Sequence, residues 1–283
     1  MKAAELYERL EKDFVKPGLS DEWAKHMELI ADFLCDNFKK RSMGLVCDNA
    51  DKIEKVYTAV FPSHAVMQSI LNGGETDVML FLHHPSTWNL KNAPPLFQQM
   101  DRGLLGEFKE RRISIFNLHH PLDNYGEYST SVSLARVLGT EPDKSFGLYA
   151  GALCGVFGKT ECKDVQALSE KFTTAMGHRT ALYKYGTDEI RNQLIAVVAG
   201  GGNETFLLEE IFAEGVNTFV TGVSVKAEFS KSPHEYAEKN GINILGGTHY
   251  STEKPACQAM CGYFEKLGLP AEFIEGEAIL EDL

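Results

Sequence analysis

No segment of the chain approaches the roughly 18 to 20 consecutive apolar residues of a membrane span, and the opening MKAAELYERLEKDF lacks the apolar core of a secretory signal. The cytoplasm is therefore the expected address, with no membrane partner. Net positive charge is missing too. The 28 Lys and Arg face 40 Asp and Glu, a formal charge of -12, the wrong sign for a protein that gains affinity by neutralising phosphates. Nucleic acid is accordingly not expected as a partner. Cysteine is sparse, six residues spread over 283, unlike the dense framework of short secreted domains, so the thiols are expected to be reduced and mostly buried. There is no Pro/Ser-rich linker and no low-complexity tract. The length suffices to bury a core without disulfides or a structural metal.

What the chain does carry is alternation. Residues 2 to 15 and 21 to 40 place apolar side chains at helical spacing, with Ser20 as an N-cap for the second helix and Asp21 and Glu22 in its first turn. From Val56 onward, VYTAVF, VMLFL, ISIFNL, LIAVVAG, TFVTG and INILGG read as buried strands. Helical patterns over 63–72, 95–112, 127–138, 163–177, 204–214, 232–240 and 254–267 fall between them. The alternation predicts an α/β fold with mixed or parallel sheets. The least regular stretch, about 140 to 162, is the one place for a domain cut.

Three strand ends carry the chemistry. His83-His84-Pro85 follows VMLFL, and because neighbouring side chains on a strand point to opposite faces, the two histidines can share a site only where the strand has ended. His119-His120-Pro121-Leu122-Asp123 follows ISIFNL, the tetrad Leu118-His119-His120-Pro121 echoing Leu82-His83-His84-Pro85 thirty-six positions later, and adds a carboxylate and hence a mixed N/O donor set. Gly246-Gly247-Thr248-His249-Tyr250-Ser251-Thr252-Glu253 follows INIL. Each has a bland reading. The first could be an exposed loop; Asp123-Asn124 with Gly126 could be turn chemistry; Glu253 could simply favour a helix dipole, with Ser251 or Thr252 as cap and Pro255 in the first turn. Open α/β sheets place ligands at strand C-termini, however, and three such ends coincide here. Five donors with two carboxylates exceed the needs of one tetrahedral ion, so two ions are the better reading, and a metal pair points to hydrolysis. His119 or His120 would remain as a general acid/base.

Other signals are weaker. Ala199-Gly200-Gly201-Gly202-Asn203 could hold a phosphate on backbone amides but reads more simply as a tight turn. Gly155-Val156-Phe157-Gly158-Lys159-Thr160 imitates the end of a Walker A loop, yet Leu153 stands where the first glycine is needed. Cys257 and Cys261 are four apart on a helix among Ala259, Met260 and Phe264, which favours buried thiols over metal ligands.

Taken in order, the three clusters resemble the Nif-three-like family of dinuclear metal proteins, often labelled homologues of type 2 GTP cyclohydrolase I. His83 to Pro85 resembles its His-His-Pro, His119 to Asp123 its His-Thr-Asn-Leu-Asp, and Thr248 to Glu253 its Gly-His-Tyr-x-x-Glu. FGLYAGALCGVFGKT and LIAVVAGGGNETFLLEEIFAEGVNTFVTG fit the same order, so the likeness covers roughly residues 43 to 275. It implies two divalent metal ions per chain (Zn, Mn, Fe, Co or Ni) held by His83, His84, Asp123, His249 and Glu253, with the catalytic role falling to His119. It further implies two intertwined, related α/β halves of three-layer character, 43–145 and 146–283, after a helical extension over 1–42. A ring-shaped homohexamer is part of the same implication. Thr248 replaces a glycine of the pattern, His120 and Pro121 replace small polar residues, and VSVKAEFSKSPHEYA, with Lys226, Glu228 and His234, departs from it and reads as a solvated loop. A hydrolase acting on a nucleotide or phosphoester is the expected function. The alternative is a non-catalytic metal-handling or assembly-platform protein using the same ligands.

Overall fold

Five consecutive apolar residues, Val78–Leu82, are all buried, which is what a strand covered on both faces of a parallel sheet requires. The computed structural model describes residues 1–90 and 97–283. In chain order its strands are β1 (Gly44–Cys47), β2 (Lys55–Ala59), β3 (Val78–Leu82), β4 (Thr87–Trp88), β5 (Phe97–Gln98), β6 (Ile113–Asn117), β7 (Glu141–Tyr149), β8 (Ala152–Lys159), β9 (Ala181–Tyr183), β10 (Leu194–Val198), β11 (Thr218–Thr221), β12 (Asn243–Gly246) and β13 (Ala271–Phe273). They form mixed sheets within an α/β fold. The chain divides into two units: Met1–Leu122 with Cys257–Glu277, and Asp123–Ala256 with Ala278–Leu283.

The first unit holds a five-stranded sheet in the order β1-β6-β3-β2-β13. Its strands are parallel except β1, and β3 runs beside β6 in the register Val78↔Ile113 to Leu82↔Asn117. One face is covered by helices His64–Asn72 and Arg102–Glu110 together with Trp23, Met27, Ile30 and Phe38 of the N-terminal segment. Ser63 and Asp101 cap those two helices by accepting from Val66 N and Leu104 N. The helix expected over 95–112 thus begins at Arg102, after β5; its first two positions, 95 and 96, lie outside the described residues.

The helix expected over 21–40 is instead two 3-10 turns, Trp23–His26 and Glu28–Ile30, followed by a short helix Asp36–Arg41. Tertiary partners compete for the backbone donors there. Ala24 N donates to Ser42 Oγ at 2.9 Å and Cys35 N to Val46 O at 2.8 Å, so neither is available to an α-helical ladder.

In the second unit the sheet order is β7-β8-β10-β11-β12-β9. Along β10, Ile195 and Val197 pack with Leu168 and Phe172 of helix Val165–Met176, while Ala196 and Val198 pack with Leu207, Leu208 and Ile211 of helix Thr205–Ala213. The strand's period of two feeds both helical layers. The hairpin β7–β8 occupies the stretch that reads as least regular. Its glycines are forced by the pairing: a Cβ on Gly155 would lie 2.6 Å from the Phe146 ring, and one on Gly158 would lie 2.5 Å from Glu141 O. Glycine here marks close strand packing rather than a break.

Candidate metal centre

β3 and β6 end level with one another, Leu82 opposite Asn117, and both echoing tetrads leave the sheet at that edge. Leu82 pairs with Asn117 rather than Leu118, so the two tetrads meet one residue out of step. His83 N still donates to Ala59 O at 3.2 Å and His84 N to Val60 O at 2.9 Å, which holds the turn against β2. His83 and His84 are both buried, with ring centroids 4.3 Å apart, and His119 lies 5.3 Å from the first and 4.6 Å from the second. Donor atoms of these three histidines come within 4.8 Å of one another, a group that could hold a metal ion.

Hydrogen bonds set which ring nitrogen is left to bind. His83 Nδ1 is 3.0 Å from the Leu118 carbonyl, and a carbonyl only accepts, so Nδ1 carries the proton and Nε2 presents a lone pair. His120 Nδ1, 2.6 Å from Ser20 O, is fixed in the same way. His119 Nδ1 lies 2.9 Å from Asp21 Oδ2 and 3.0 Å from Trp23 Nε1. Asp21, His119 and His120 form a further group with donor atoms within 4.8 Å. Burial pushes the Asp21 carboxyl above the usual carboxylate range, offset in part by the charge of His120 and the Glu22 amide. The surroundings are aromatic: Phe61 stacks on His84 with centroids 4.8 Å apart, and Trp23 meets His119 edge-on at 5.1 Å. A cavity of about 810 Å³ in this unit is lined by Trp23, Ile30, Phe97, Met100 and Arg102, among others.

The second unit contributes its own donors. The helix His249–Lys266 starts directly after the turn at Gly247, earlier than the 254 expected. Thr248 is its cap: Oγ1 accepts from Ser251 N at 3.0 Å while Ser251 Oγ accepts from Thr248 N at 3.1 Å. The threonine that departs from the family pattern thus gains a structural task. With the helix begun at 249, His249 and Glu253 sit at i and i+4 on one face, Nε2 to Oε1 3.1 Å, both buried. The His249 amide donates to Asp282 Oδ2 at 2.7 Å, and Asp282 is itself wholly buried. Gly200 explains the glycine run. At φ +71°, its position would bring a Cβ within 2.1 Å of Glu253 Oε1, so the loop is shaped to the carboxylate rather than to a phosphate. Asp123 Oδ1 accepts from Thr130 Oγ1 at 2.7 Å. The charge of Asp123 adds to burial in pushing the Cys154 thiol up to about 12.

Within the first unit the expected ligands His83 and His84 come together, joined by His119; within the second, His249 joins Glu253, and Asp123 opens that unit. Asp21, Trp23 and Asp282 gave no signal in the sequence, since a charged residue in a first helical turn or near a chain end is ordinary. His234, expected in a solvated loop, is buried on helix Lys231–Asn240, where its Nε2 meets Ser224 O at 2.8 Å and its Nδ1 meets Tyr185 OH at 2.9 Å. None of the six cysteines is joined in a disulfide. Cys257 and Cys261 pack on Ala59 and Thr58, the bland reading of that pair. Among the described residues no helix is long and apolar enough to cross a membrane.

Sheet order, strand-end histidines and the helix-borne His249–Glu253 pair define an α/β protein whose histidine and carboxylate groups could hold metal ions. Residues 20–278 match the sequence profile of the family described as Duf34/NIF3 (NGG1p interacting factor 3), and the chain belongs to that family. It is 29% identical over 236 residues to a GTP cyclohydrolase 1 type 2 homolog of Archaeoglobus fulgidus, covering 82% of this chain and 88% of the relative. A protein of the same name from Pyrococcus horikoshii is 28% identical over 229 residues, covering 78% and 85%. The solved structure of the protein ybgI shares the fold at a TM-score of 0.74 and 19% identity, over 99% of this chain and 100% of that one.

Proposed function

We propose that the chain is a dinuclear metal protein in which His83, His84, Asp123, His249 and Glu253 hold two divalent ions, and that it hydrolyses a nucleotide or phosphoester. The observation that carries this reading is the buried imidazole group His83, His84 and His119, with His83 Nδ1 committed to Leu118 O so that the lone pair is left on its Nε2. The His249–Glu253 pair supplies the harder oxygen donor. Such a mixed N/O set suits Zn, Mn, Fe, Co or Ni. Bound ions would acidify water and neutralise charge on the attacking and leaving oxygens of a displacement. His119 is the proton carrier, taking a proton at Nε2 and returning it to the leaving group. The open cavity walled by Trp23 and Arg102 in the first unit has the volume of a small-molecule site, though none of the proposed ligands lines it. The relatives' names carry a cyclohydrolase label, which favours nucleotides as the first compounds to screen. A homohexameric ring in the cytoplasm belongs to the same proposal, and the mass of the native particle checks the assembly.

Metal content of protein purified without chelator or tag tests the centre. About two ions per chain in the wild type, lost in Asp123→Ala and Glu253→Ala, supports it; a metal-free wild type refutes it. Turnover of nucleotides or phosphoesters that disappears in His119→Ala supports the hydrolase. Full metal with no turnover across that panel assigns the chain to metal handling instead.

A further inference from the structure

We infer that Asp21 is a positioning residue that fixes the tautomer of His119, holding the proton on Nδ1 so that Nε2 is the basic nitrogen. This rests on the reading of His119 as proton carrier and deepens it. Two neighbours of His119 Nδ1 make opposite demands. Trp23 Nε1, 3.0 Å away, is an indole N–H that only donates, and it asks for a lone pair on Nδ1. Asp21 Oδ2, 2.9 Å away, is a carboxylate oxygen that accepts, and it asks for a proton there. One nitrogen cannot satisfy both.

Charge decides between them. A hydrogen bond to an ionised partner is roughly twice as strong as one between neutral groups, and the Asp21 side chain is only 5% exposed, so water cannot replace the bond. His119 therefore carries its proton on Nδ1 and presents Nε2 as the acceptor. When Nε2 takes a proton from water, the resulting imidazolium is held against the Asp21 carboxylate. The proton then leaves from Nε2, and neither Nδ1 nor Asp21 changes protonation. The neighbouring His120 Nδ1 is held by Ser20 O at 2.6 Å, with Asp21 Oδ2 farther away at 3.8 Å. Residues 20 to 23 thus fix the rings of two consecutive histidines, which gives the N-terminal segment a task beyond packing.

An isosteric change reverses the demand. Glu22 N donates to Asp21 Oδ1 at 3.0 Å, so in Asp21→Asn the amide oxygen stays at that position and the amide nitrogen replaces Oδ2. Both neighbours of Nδ1 are then donors, and the ring must move its proton to Nε2.

Long-range 1H–15N correlation spectra of the histidine rings, taken on zinc-loaded protein and assigned with His119→Gln, read the tautomer directly. The expected result is a protonated Nδ1 and an unprotonated Nε2 for His119 in the wild type and in Trp23→Phe, with the two nitrogens exchanging roles in Asp21→Asn. Where a substrate is turned over, Asp21→Asn should lower kcat by about 100-fold or more with little change in KM. A wild type protonated at Nε2, an Asp21→Asn ring identical to the wild type, or a tautomer reversed by Trp23→Phe overturns the inference. Zinc content measured on the same samples separates this from the metal reading. Zinc bound with the wrong tautomer defeats only Asp21; the stated tautomer without zinc defeats only the metal centre.

Discussion

Replacing Gly200 by alanine separates two costs that usually arrive together. The backbone at Gly200 lies at φ +71°, and an L side chain there costs about 1 kcal/mol, up to about 2. Gly177, at φ +75° behind helix Val165–Met176, carries the same backbone cost with nothing within 4 Å of an added Cβ. At Gly200 the new methyl would instead stand 2.1 Å from Glu253 Oε1 and 3.3 Å from His249 Cδ2. The loop has little room to retreat, because Gly200 O accepts from Gly222 N and Val223 N at 3.0 Å each and Gly200 N donates to Thr252 Oγ1 at 3.0 Å. The carboxylate must therefore swing away, adding a steric cost of about 1–3 kcal/mol. Urea unfolding followed with metal analysis reads both effects. Gly177→Ala should lose about 1 kcal/mol and keep its metal; Gly200→Ala should lose roughly 2–4 kcal/mol and its metal with it. A Gly200→Ala protein with full metal and a stability equal to Gly177→Ala would refute both the packing argument and the assignment of Glu253.

Thr248→Ala should cost about 1–2 kcal/mol in urea unfolding through loss of the helix cap, whereas Thr248→Ser should be close to neutral. The Arg112 guanidinium, with Nε and Nη2 2.8 and 2.7 Å from the two oxygens of Asp77, holds that carboxyl at about 2. Because the folded value lies below the ordinary one of about 3.9, the ion pair stabilises the fold fully above that range and is lost as pH falls towards 2. The difference in thermal stability between wild type and Asp77→Asn should therefore be constant at neutral pH and shrink steadily below about pH 4. Phe172→Ala, at a side chain wholly buried against the second sheet, should cost about 3–5 kcal/mol.

Periodic apolar runs were readable because burial on both faces leaves no polar alternation to confuse them. VMLFL is β3 residue for residue, and LIAVVAG contains β10, which stops at Val198. The histidine tetrads were readable because a strand-ending proline follows each pair. What escaped depended on partners remote in sequence. The β7–β8 hairpin hid behind glycines whose purpose is visible only once Phe146 and Glu141 lie across from them. The helical pattern of residues 21 to 40 lost to Ser42 and Val46, which capture its backbone donors. The last long helix starts at His249 rather than near 254 because Thr248 caps it, ahead of Ser251 and Thr252, the caps that the local pattern offers. Asp21 and Asp282 matter through contacts with His119 and with the His249 amide, remote in sequence, that no local pattern encodes.

The chain path of the first unit has a consequence for biosynthesis. Its sheet ends at β13, which pairs in parallel with β2 more than two hundred residues earlier in the chain, Ala271 opposite Val56. A ribosome therefore releases β2 with one edge bare and keeps it so until β13 has been made, after residues 123–256 of the second unit. Pairings this distant in sequence close slowly, and an exposed parallel edge is where a nascent chain is most open to wrong partners. Truncation just before Ala271 should thus leave the strand-end histidines on an unfinished sheet with β2 exposed at its edge.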